Sequence, residues 1–135
     1  MDAKLKHLEF LQAVISRMAT NQFLFKGWAI TIAAGLSAFA AVDSRKALLI
    51  IAVGSTALFW ALDGYYLWLE RCFRDRYKVV ASTDPEKIDF GMTPSKKCFF
   101  ARWLKACVRP HILFFYLTLV AVDLIGICLI KGGVK

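Results

Sequence analysis

Three long apolar runs, each broken by a single charge, constrain this chain more than any other feature. From Asn21 to Val42 the charge is Lys26, from Ala47 to Leu69 it is Asp63, and from Pro110 to Ile130 it is Asp123. A helix rises about 1.5 Å per residue, so each run is about as long as is needed to cross roughly 30 Å of hydrocarbon. The expected fold class is an all-α integral membrane protein with three transmembrane helices, at about 21–42, 47–69 and 110–130. Composition points the same way. Of 135 residues, 59% are hydrophobic, above the 45–50% or so typical of soluble domains, and mean hydropathy is +0.54. So apolar a chain is not intrinsically disordered, and one so short is not a large multi-domain enzyme. A single membrane domain over 1–135 is expected.

The formal net charge of +8 would suggest nucleic acid in a soluble protein. Here the cations flank the spans, so the bilayer is the expected partner and nucleic acid is not. The segment 70–109 holds ten Lys and Arg and the first 26 residues four, against two in the Asp43–Lys46 turn. Cationic flanks resist translocation, which places the N-terminus and the 70–109 lobe in the cytoplasm and the protein as multi-pass. The alternative is a two-span hairpin with 110–130 re-entrant. The first 20 residues lack the uninterrupted apolar core of a secretory signal.

Leu8, Leu11, Ile15, Met18 and Phe25 recur at helical spacing, with Lys4, Lys6, His7 and Arg17 elsewhere on the wheel. An amphipathic cytoplasmic helix over 1–20 is therefore expected, its apolar stripe packing on the bundle or joining protomers. Beyond the second span, Glu70 and Arg74 stand at i,i+4, and the helix should stop near Val80 before the turn-forming Ala81-Ser82-Thr83-Asp84-Pro85. Asp84 and Pro85 read as the cap and first position of another short helical turn. From Ser95 to Arg109, Phe99, Phe100 and Trp103 share one side while Lys96, Lys97, Arg102, Lys105 and Arg109 spread over the rest. That pattern is the signature of a helix lying in a membrane interface.

A carboxylate at the bilayer centre costs about 2.5–3.5 kcal/mol on insertion scales, so Asp63 and Asp123 need partners or water. Thr56, Asp63, Tyr66 and Glu70 form one polar stripe on the second span, and Tyr116, Asp123 and Gly126 another on the third. The two acids differ in depth by roughly 9 Å, too far for a shared-proton dyad in one protomer. Two readings follow. Lys26 pairs with Asp63 and locks adjacent helices, or Asp63 and Asp123 line a cation path in an oligomer, since carboxylate rings select cations. Hydrogen bonds to Thr31, Thr56 or Tyr116, or simple protonation, would also satisfy them. Gly27, Thr31 and Gly35, and Ala33, Ser37 and Ala41, repeat at four and make two thin faces, which favours a homo-oligomer.

No catalytic constellation stands out. Cys72, Cys98, Cys107 and Cys128 lack C-x-x-C spacing, only His7 and His111 offer imidazole, and the glycines are scattered. No metal, no cofactor and no enzymatic activity are expected.

The runs Lys6-His7-Leu8-Glu9-Phe10-Leu11-Gln12-Ala13-Val14-Ile15-Ser16-Arg17-Met18, Phe25-Lys26-Gly27-Trp28, and Phe59-Trp60-Ala61-Leu62-Asp63-Gly64-Tyr65-Tyr66-Leu67-Trp68-Leu69-Glu70-Arg71 resemble a group of small bacterial multi-span membrane proteins. The likeness covers about the first 80 residues and implies a bacterial inner membrane. The architecture is also similar to the membrane effectors of bacterial antiphage systems, a likeness of style only. It implies an oligomeric inner-membrane effector or ion-permeable channel that disrupts the membrane when a soluble cytoplasmic sensor or regulatory protein triggers it. The alternative is a non-conducting anchor or regulatory subunit that recruits a soluble partner through 70–109.

Overall fold

A computed structural model describes residues 2–43, 45–93 and 99–132, and every regular element in them is helical. Helix α1 runs Asp2–Asp43, α2 Lys46–Ser82, α3 Phe99–Cys107 and α4 Pro110–Gly132, with a 3-10 turn at Pro85–Lys87. Three of them, α1, α2 and α4, are long and apolar enough to cross a membrane. Large apolar side chains face outward along these helices, among them Phe23, Phe39, Phe114 and Leu129. A soluble protein of this size would turn such a surface inward.

The N-terminal helix and the first apolar run form one 42-residue rod rather than two elements meeting near Asn21. No proline interrupts it, and Thr20 returns its hydroxyl to the Ser16 carbonyl at 3.0 Å instead of breaking the turn. At 1.5 Å per residue the rod is about 63 Å long, roughly twice a hydrocarbon core. It folds back on α2 as an antiparallel hairpin, and α4 runs antiparallel beside α2, with Gly126 against Leu49.

Two apolar clusters hold the hairpin. One joins Ala29, Leu67, Trp68, Ala106, Ile112 and Tyr116, so all four helices contribute. The other packs Leu11 and Ile15 of the N-terminal stripe on Phe73 and Val80. Leu11 and Ile15 of that stripe are thus buried within the chain, while Leu8, Met18 and Phe25 are half-buried. His7 departs from its expected polar face. It is buried, with its ring edge-on to Phe90 at 5.4 Å, because the chain after α2 folds back over α1.

Helix α2 ends where turn-formers were expected. Thr83 donates its hydroxyl to the Val79 carbonyl at 2.7 Å, and Lys4 Nζ donates to the carbonyls of Ala81 and Thr83 at 3.0 and 2.8 Å. An ammonium is favourable at these orphan C-terminal carbonyls. Past the 3-10 turn, Arg76 clasps Asp89 through its carboxylate at 2.6 Å and its backbone carbonyl at 2.9 Å, and the Gly91 amide donates to the other carboxylate oxygen. The Arg76 hydrogen bond, and then that of Gly91, hold the Asp89 carboxyl below its ordinary range. With a depressed native pKa, the clasp's stabilisation is present above the unfolded value near 3.9 and is lost as pH falls through the folded value. Carboxyl carbon NMR should find Asp89 titrating below the ordinary carboxylate range, and a midpoint at or above that range would mean that the clasp does not form in solution.

Candidate functional site

The charged side chains inside the apolar hairpin follow from helical spacing. Gln22 and Lys26 are one turn apart on α1, and Asp63 and Glu70 two turns apart on α2, so each pair occupies one face. Antiparallel packing turns the faces together. Lys26 Nζ lies 2.5 Å from Asp63 Oδ2, with the Asp63 side chain fully buried and that of Lys26 24% exposed. One end of the axis is Glu70, which accepts from Gln22 Nε2 at 2.6 Å and from Arg74 Nε at 2.7 Å. Tyr116, fully buried on α4, stacks on Trp60 at 6.3 Å and brings its hydroxyl beside Asp63 without reaching hydrogen-bond geometry.

Asp123 sits apart from this axis. It is buried on α4 and accepts from the Ser37 hydroxyl of α1 at 2.8 Å. Asp63 and Asp123 share no partner among the described residues. Thr56 is buried on the same stripe as Asp63, yet its hydroxyl meets no partner among the described residues. Tyr66 spends its ring on Phe25, centroids 5.1 Å apart, rather than on the polar axis. Thr31 bonds back to the Gly27 carbonyl on an exposed face.

Helix α3 departs from a purely lipid-facing aromatic side. Phe99 packs edge-on to Trp68 at 4.6 Å, the Trp103 indole donates to the Ala61 carbonyl at 3.1 Å, and Ala106 and Cys107 are buried. The reason is room and satisfaction together. Gly64 lets the α3 backbone approach α2, and the Trp60 indole donates to the Cys107 carbonyl at 3.0 Å, meeting one orphan acceptor of the helix end. Phe100 remains exposed. The expected interfacial residues Lys96 and Lys97 lie outside the described residues, as does Cys98. Arg102, Lys105 and Arg109 line a cleft between α3 and the second half of α2, together with Arg71.

Gln22, Ser37 and Arg71 were not singled out as functional from the sequence. Gln22 had a signal, one turn before Lys26 on the same face. Ser37 counted only as a small residue, and nothing local marks it as the partner of an acid 86 positions away. Among the described residues no group of three His, Cys, Asp or Glu side chains is placed to hold a metal ion. Comparison with protein-family models, with curated proteins and with solved structures finds no match.

Proposed function

We propose that the chain is a multi-pass anchor of the bacterial inner membrane, with its N-terminus and the 70–109 lobe in the cytoplasm. It does not conduct ions, and it presents that lobe to a soluble cytoplasmic partner. The observation that carries this reading is the inward pairing of both acids in the apolar helices, Asp63 with Lys26 and Asp123 with Ser37. A carboxylate built to select cations must face a water-filled path. Here each faces another helix of the same chain. Potassium flux from liposomes holding the purified protein tests this. Wild type, Asp63→Asn and Asp123→Asn should all leave the vesicles tight, and leakage that changes with either substitution would overturn the anchor. A cysteine placed in the Asp43–Lys46 turn should react with an outside label on intact cells, and labelling only after permeabilisation would invert the orientation.

A conducting oligomer is the second reading, favoured by one face of α1. Gly27 and Gly35 have open space where a Cβ would stand, and Thr31 between them is exposed. A second copy could approach closely there. Such an assembly would serve as a membrane-disrupting effector of the antiphage kind and would leak once triggered.

A further inference from the structure

The cleft between α3 and the second half of α2 holds four cations, Arg71, Arg102, Lys105 and Arg109, against one carboxylate, Asp75, in a volume of about 250 Å³. None of the four forms an ion pair among the described residues, whereas Lys26, Arg74 and Arg76 each have a carboxylate in contact. Arg71 and Arg109 are close enough to repel one another. Asp75 answers only part of this charge, and like charges in excess of their counter-charge are relieved when an anion joins them. Trp68 forms the apolar wall of the lining. It is 5% exposed, and its indole N–H has no acceptor among the described residues.

The faces of α3 say where that anion comes from. Arg102 and Lys105 share one flank of the helix, and Arg109, just past its end, lines the same cleft. Phe100 and Leu104, both exposed, stand one turn apart on another, and the exposed Val108 continues that line past the helix end, its amide bonded to the Leu104 carbonyl at 3.1 Å. The buried side of α3, with Ala106 and Cys107, lies between them against α2. A helix so divided offers acyl chains an apolar flank while its guanidinium and ammonium groups meet phosphate oxygens. The cleft also lies just beyond Leu69, where the apolar run of α2 ends.

From this geometry we infer that the α2–α3 cleft binds a phosphate-bearing anion, supplied by the headgroup of an anionic phospholipid. Basic pockets at the mouths of helical bundles suit such headgroups. The inference rests on the membrane placement proposed above, but not on whether the assembly conducts.

The test uses the full chain in nanodiscs of phosphatidylcholine alone or with phosphatidylglycerol, reading the melting temperature and the lipid retained in native mass spectrometry. Phosphatidylglycerol should raise the melting temperature and stay bound. Arg71→Gln/Arg102→Gln and, separately, Lys105→Gln/Arg109→Gln should each weaken retention roughly 30-fold, since each cation near a membrane surface adds about fivefold in affinity. Lys78→Gln/Lys87→Gln removes the same charge from exposed positions elsewhere and should retain lipid like wild type. Equal retention in all three double variants, or no response to phosphatidylglycerol, overturns the site. Inorganic phosphate added to phosphatidylcholine discs separates the sources. Stabilisation by phosphate without phosphatidylglycerol retention would keep the phosphate site and overturn the lipid source. Incorporation of folded protein into the discs is scored first by circular dichroism, so failure of the membrane reading is seen separately from failure of the site.

Discussion

Lys26→Met should destabilise the fold by about 3 kcal/mol, the lower part of the range for removing one partner of a buried ion pair. The lower part applies because the Lys26 side chain keeps 24% of its exposure, while Asp63 keeps none. The cost arises from what is left behind. Among the described residues Asp63 Oδ1 already has no hydrogen-bond partner, and loss of the ammonium strips Oδ2 as well. The measurement is equilibrium unfolding in mixed micelles, followed by helical circular dichroism. Lys26→Met/Asp63→Leu supplies the decisive arm. Since an apolar replacement of a whole buried pair is often neutral, the double variant should recover most of the loss. A double variant as unstable as the sum of its single variants would mean the two residues do not act as a pair.

Gly64→Ala should cost about 1–3 kcal/mol, the usual penalty for overpacking a filled site. A Cβ at Gly64 would overlap the Sγ of Cys107, whose Cα and Cβ stand 3.4 Å from the same point. The overlap involves the sulfur alone, because 3.4 Å to the carbons is tight but ordinary contact. Gly64→Ala should therefore be tolerated in a Cys107→Ala background, and a double-mutant cycle in the same unfolding assay reads the coupling. Equal penalties in both backgrounds would place the restriction in the α2 backbone and not at the α3 contact. Gly27, Gly35 and Gly54 form the contrast, since each has open space where its Cβ would stand. Alanine there should leave the isolated chain unchanged or slightly more stable, given the higher helix propensity of alanine.

Comparing these two sites shows why parts of the fold were readable and others were not. The span near Pro110, the stop after Val80 and the Asp84–Pro85 turn are local matters of hydropathy, cap and dihedral preference, and a few adjacent residues specify them. The Glu70–Arg74 pair is likewise set by helical geometry. Lys26 with Asp63 could be weighed only as one of several partnerships, because the choice depends on the register of two helices. Ser37 with Asp123 depends on the register of α1 with α4, and no periodicity in either helix encodes it. The aromatic side of α3 was legible as a face, but not as a face divided between protein and exterior. Wheel positions specify direction around a helix axis, whereas the room opened by Gly64 and the carbonyl of Ala61 belong to another element. The same limit explains His7, polar by type and buried by a segment more than 80 residues away.

By itself the sequence determined how many helices are apolar enough to cross a bilayer, where they turn, and which of their residues are too polar to be left without partners. Those properties are sums over short windows, and the cost of burying a charge or breaking a helix is the same wherever the chain goes next. The tertiary structure decided the partners: Lys26 for Asp63, Ser37 for Asp123, Gln22 for Glu70, and it gathered four cations that form no ion pair among the described residues in one cleft. Each of these needs two or three helices at one relative depth and rotation. Packing across many side chains sets that depth and rotation at once, so no single segment contains the information.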